Sequence, residues 1–138
     1  MTNIGILENK ISIVKKYLTI LDRYKNFNVE ELDNDVDKKG MLERYLYLCA
    51  QATIDLAEVI ISFKKLRKPA SFSECFEILR ENYHISDDLC SKLVKMTGFR
   101  NTLAHGYEKV DNNVLIETLK SGKNDIIEFL DITEKLLG

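Results

Sequence analysis

Proline occurs once and glycine six times in this 138-residue chain. That is too few breakers for a turn-rich β protein, and 45% hydrophobic residues beside 30% charged is too apolar a mixture for a disordered one. The cysteines Cys49, Cys75 and Cys90 are odd in number and widely spaced, with no C-x-x-C pair. They read as small hydrophobes in a reducing compartment. The N-terminus has no basic region followed by an apolar run, and no window approaches the roughly 20 apolar residues that cross a bilayer. A cytoplasmic protein with no membrane partner is expected. A glycine-rich phosphate loop, H-E-x-x-H, paired Cys/His ligands and a G-x-S-x-G elbow are all missing, so nothing supports a metal hydrolase or a nucleotide-binding enzyme. No metal and no cofactor are implied. No repeat, linker or low-complexity segment divides the chain, whose length fits one domain over residues 1–138 with a core that needs no disulfide or metal. The net charge of −2 argues mildly against a protein that coats duplex DNA but leaves room for a local basic site.

What is present is helical periodicity. Ile4, Leu7, Ile11, Val14, Leu18 and Leu21 recur at spacings of three and four, predicting a helix over about residues 4–27. Residues 26–40 are acidic and weakly patterned, a loop leading into the acidic first turn of a helix. That helix, from Val36 or Met41 to Phe63, is the longest and has apolar residues on several sides, which suits a central position. Within it Asp55 either faces the rim or needs a donor, while Glu43 and Arg44 are surface residues or partners standing behind a site. The basic run 64–68 and Pro69 end it. Ser71 with Glu74 forms a capping box for a short helix, and Ser86 caps the next, whose apolar set is Leu89, Leu93, Met96, Phe99 and Leu103. His84, ahead of that cap, has no ligand-spaced neighbour and is given an ordinary role. A final helix from Val114 to Leu137 should bend or pause at Gly122. Four long helices and one short one make an all-α, antiparallel helical bundle.

Chemistry concentrates in Gly98-Phe99-Arg100-Asn101-Thr102-Leu103-Ala104-His105-Gly106-Tyr107. Met96, Phe99 and Leu103 would clamp the helix while Arg100 projects from another side. Five residues turn an ideal helix by about 140° and advance it about 7.5 Å, so Arg100 and His105 would not share a face. Gly106 offers a stop signal, at which the last turn unwinds and the His105 ring swings back toward Arg100. An imidazole can move a proton near neutral pH and a guanidinium presents a fork of donors to a phosphate. Metal-free RNA cleavage needs that pair: one group assists 2′-hydroxyl attack or protonates the leaving 5′-oxygen, and a fixed cation stabilises the phosphoryl oxygens. One histidine fills both proton roles poorly, so a homodimer with two copies across a two-fold axis suits the chemistry. Lys92, Lys95 and Lys109 around the motif are candidate phosphate contacts, and Asn101 and Gly106 candidate supports.

The same segment resembles the R-x4-H-x-Y signature of the HepT-like branch of the HEPN superfamily, the toxin of a two-gene toxin–antitoxin module. Glu43-Arg44, Ala52-Thr53-Ile54-Asp55-Leu56-Ala57, Phe72-Ser73-Glu74-Cys75-Phe76 and Ile85-Ser86 resemble that family in the same order, over residues 42–116. The resemblance implies the HEPN bundle and a metal-independent ribonuclease in which Arg100 and His105 line a cleft at a homodimer interface. It also implies that Tyr107 accepts AMP units from an MntA-like nucleotidyltransferase antitoxin, whose added phosphates would block an RNA site by size and charge. A non-catalytic binding subunit of such a nucleotidyltransferase is the alternative. Two positions depart from the family: Gly106 stands where an acidic residue is common, and Ala104 where a larger aliphatic one is. The first removes a carboxylate that would orient His105.

Overall fold

The computed structural model describes residues 3–105 and 110–137. Helix α1 (Asn3–Leu21) buries Leu7, Ile11, Val14, Leu18 and Leu21, the stripe its sequence predicts. Its regular turns stop at Leu21, earlier than expected, and a 3₁₀ turn at Asp22–Tyr24 follows. Tyr24 there packs edge-on to Phe27 at 5.0 Å between ring centroids. The weak acidic stretch contains a helix of its own, α2 (Val29–Asn34), because the Asn28 side chain accepts from the Glu31 N–H. Asp35 then accepts from the Asp37 and Lys38 N–H groups and starts α3 at once.

Helix α3 (Val36–Phe63) buries residues all around its axis, from Leu42 to Ile61, and packs against α1, α4 and α5 (Asp87–His105). Contrary to the expectation from sequence, this helix is long and apolar enough to meet the length and composition of a membrane span, with 56% of the window buried inside the bundle. Each fully buried Leu or Ile here contributes about 1.5–3 kcal/mol relative to exposure, which gives its apolarity a packing explanation. The basic run lies beyond Phe63 and not in the last turn. The turn closes with the Leu66 N–H donating to Ile61 O at 2.9 Å while Lys65 adopts φ 56°, a left-handed position usually given to glycine.

Helix α4 (Phe72–Glu81) is capped by Ser71, whose Oγ accepts from the Glu74 N–H at 3.2 Å. The Glu74 carboxylate reaches back to the Ala70 N–H and to Arg67, a shifted form of the capping box. Helix α5 starts where predicted, with Ser86 Oγ accepting from the Leu89 N–H. Its fully buried residues are Leu89, Cys90, Leu93 and Thr97. Met96, Phe99 and Leu103, expected as its clamp, are only partly buried against the core, because Thr97 takes the inward position and satisfies its hydroxyl on Val94 O.

The C-terminal segment pauses at Gly122 as its sequence predicts. Helix α6 (Asn112–Glu117) passes into a π turn (Thr118–Gly122) and then into α7 (Lys123–Leu137). Phe129 of α7 meets Phe76 of α4 edge-on at 5.7 Å. Four long helices, α1, α3, α5 and α7, are therefore accompanied by three short ones where one was expected, and no strand occurs among the described residues.

Candidate active site

Arg100 leaves α5 toward α3. Its Nε donates to Gln51 Oε1 at 2.6 Å, Nη2 to the Tyr47 hydroxyl at 3.3 Å, and Nη1 to Asn101 Oδ1 at 3.0 Å. The guanidinium carbon also lies 5.2 Å from the Tyr47 ring centroid and 5.0 Å from that of Phe72, within range of cation–π attraction. Every one of these partners is neutral. A guanidinium has five N–H donors, and among the described residues one on each terminal nitrogen takes no acceptor and no carboxylate pairs with the charge.

Behind Gln51 stands Asp55, whose Oδ1 accepts from Gln51 Nε2 at 2.8 Å. This is the donor that Asp55 needs in its nearly apolar surroundings. Tyr47, Gln51 and Asp55 recur every four residues and so line one face of α3. Tyr47 and Gln51 are the site residues that sequence reading passed over. Their signal is a polar row at spacing four through an otherwise apolar helix.

The other candidates spread out. Asn101, proposed as a support, bonds Arg100 directly. Arg44, exposed on α3, places its guanidinium carbon 5.6 Å from the Tyr47 ring centroid, so the two arginines share one aromatic neighbour. Glu43 is partly buried one residue before it. His105 sits exposed in the last turn of α5. The helix stays regular through His105, so the unwinding expected to swing its ring toward Arg100 does not begin before that residue. Gly106, Tyr107 and Lys109 lie outside the described residues.

Lys92 and Lys95 belong to a different face. Lys92 pairs with Asp88 at 3.0 Å and Asp125 at 3.9 Å, and its bond to Asp88 holds its pKa above the ordinary value. Both lysines line a cavity of about 440 Å³ between α5 and the α6–α7 segment, along with Met96, Phe99 and Val114, and Arg100 is not part of its wall. Among the described residues, no three His, Cys, Asp or Glu side chains gather as metal ligands would.

Among the described residues the geometry therefore offers a guanidinium oriented by neutral partners on the helix that ends at His105, which is an arrangement suited to a phosphate. The chain is 30% identical over 115 residues to the tRNA nuclease HepT of Aphanizomenon flos-aquae, covering 82% of this chain and 78% of that protein. It is 25% identical over 127 residues to the mRNA nuclease HepT of Shewanella oneidensis, covering 92% and 95%. Its fold matches that of a tri-AMPylated Shewanella oneidensis HEPN toxin solved in complex with an MNT antitoxin, with a TM-score of 0.85 at 24% identity over 98% of this chain and 99% of that one. Residues 14–132 match the family described as Ribonuclease HepT-like, and the chain belongs to the HepT-like ribonuclease family.

Proposed function

We propose that this chain is a metal-independent endoribonuclease toxin that cleaves RNA by 2′-hydroxyl attack at a cleft between two copies. The observation that carries the reading is the Arg100 guanidinium, held by Gln51, Tyr47 and Asn101, with no carboxylate bonded to it among the described residues. A cation fixed in this way needs no reorganisation as charge grows on the phosphoryl oxygens, and removing such a contact typically costs about 10²–10³ in rate. His105, one helical turn and a half further along α5, supplies proton transfer, and a second copy supplies the other half of the acid–base pair. Relatives described as tRNA and mRNA nucleases support RNA as the substrate class. Tyr107 is proposed as the acceptor of AMP from a nucleotidyltransferase antitoxin. The support is its place two residues after His105 and the AMPylated state of the Shewanella oneidensis toxin.

The test is RNA cleavage by the purified chain in EDTA. Cleavage that disappears in His105→Ala supports the proposal. Absent cleavage, or cleavage that His105→Ala leaves unchanged, refutes it, and a tight antitoxin complex without cleavage would favour the binding-subunit alternative. Intact mass after reaction with ATP and the cognate nucleotidyltransferase should rise in steps of one AMP, and a Tyr107→Phe chain that gains the same steps would remove Tyr107 from the scheme.

A further inference from the structure

The hydrogen bonds behind Arg100 have a direction. Asp55 as a carboxylate only accepts, so it demands the NH₂ end of the Gln51 amide. The Nε–H of Arg100 only donates, so it demands the oxygen end. Turning the amide over would set donor against donor at the Arg100 end, now 2.6 Å, and acceptor against acceptor at the Asp55 end, now 2.8 Å. Asp55 thus removes the two-fold ambiguity that an amide alone would have.

We infer that Gln51 and Asp55 are positioning residues for Arg100: Asp55 locks the Gln51 amide, and the neutral amide oxygen then fixes the guanidinium by Nε so that its terminal nitrogens face the phosphate undiminished in charge. The inference rests on the ribonuclease reading for its catalytic consequence. It explains why a glutamine is interposed where a carboxylate would bind an arginine more tightly. A carboxylate on Nε would make an ion pair and weaken the attraction for phosphate. The relay keeps that negative charge one side chain further away. Tyr47 and Phe72 complete the hold with ring faces, which again orient without neutralising.

A mere staple between α3 and α5 would predict lost stability alone, whereas a positioning relay predicts lost orientation. The test uses the full chain carrying Gln51→Met, Asp55→Ala, both together, and Asp55→Asn. The first readout is the Arg100 Nε–Hε resonance in ¹⁵N spectra, assigned by its loss in Arg100→Lys. It should exchange slowly in the parent chain and become that of an exposed arginine in Gln51→Met and Asp55→Ala. Asp55→Asn, which keeps an acceptor oxygen, should restore it. The second readout is cleavage in EDTA, with kcat falling about 10- to 100-fold at nearly constant KM in Gln51→Met and Asp55→Ala. The double variant should be no worse than Gln51→Met, as expected of two residues acting in series.

An unchanged Nε–Hε signal in a folded Gln51→Met chain overturns the inference. So does a double variant whose loss is the product of the single losses, or an Asp55→Asn chain as impaired as Asp55→Ala. If the parent chain cleaves no RNA, the ribonuclease reading fails by itself, and the spectra still decide whether the relay orients Arg100.

Discussion

Replacing Arg100 by lysine keeps the positive charge and removes the fork. The parent side chain makes three hydrogen bonds, to Gln51, Asn101 and Tyr47, and touches two rings. A lysine ammonium, compact and on a flexible stem, cannot occupy the Nε position beside Gln51 and face a phosphate at the same time. The Gln51 oxygen, part-buried, then loses its donor, which costs about 1 kcal/mol and lowers Tm by about 2–4 °C. The transition state loses a pre-aligned pair of N–H groups, worth about 2.7 kcal/mol or 100-fold in kcat. Long-range attraction for RNA depends on charge alone, so KM should stay within about threefold. Single-turnover cleavage of a labelled RNA in EDTA, beside a thermal melt of the same preparation, measures all three quantities. Cleavage within threefold of the parent chain would show that charge without orientation suffices. A fall in Tm beyond 10 °C would instead make Arg100 a packing residue.

Gly98 lies inside α5, and a Cβ built on it meets nothing within 4 Å. Gly98→Ala should therefore gain about 0.5–1 kcal/mol of stability and raise Tm by about 2–4 °C; if activity falls while Tm rises, this bare backbone is reserved for close approach of RNA or a second copy. Burial, with Lys64 nearby, holds the His84 imidazole below its ordinary value. The folded chain thus binds that proton less readily than the unfolded chain, and His84 supports stability above about pH 6.5, losing it as pH falls. Urea titrations from pH 7.5 to 5 should show a shallower acid-side loss in His84→Gln; an identical slope would contradict this assignment. Burial pushes the Cys49 thiol up to about 12 and the Cys75 thiol up to about 11. A disulfide reagent at pH 8 should leave both unmodified in the native chain and label them in denaturant, whereas rapid native labelling would contradict their burial.

Local structure was readable because its causes are local. The α1 stripe, the Ser71 and Ser86 caps and the pause at Gly122 each depend on residues within one or two turns. The extra helix α2 was readable in principle, since Asn28 three residues before Glu31 is a capping arrangement. The site was legible only in part. Arg100 and His105 stood out by type, but Gln51 is 49 residues from Arg100 in the chain, and periodicity names the face a residue takes without naming its neighbour. The pairing of Lys92 was half legible for the same reason: Asp88 could be seen at four residues' distance, but Asp125 comes from another helix.

The uneven anchoring of α5 links fold to site. Its first half is held by Leu89, Cys90 and Leu93, all buried, and Thr97 is the last fully buried residue before the motif. Beyond it Phe99 and Leu103 are only partly buried, so apolar packing weakens in the stretch where the chemistry requires a side chain to be fixed. The bonds from Arg100 to Gln51 and Tyr47 fall in that stretch and tie it to α3, the helix with the most buried residues. Arg100 is on this account both an anchor and a reagent. Truncating it to alanine would remove both roles together and decide neither, whereas changing Gln51 or Asp55 alters the anchor while leaving the reagent in place.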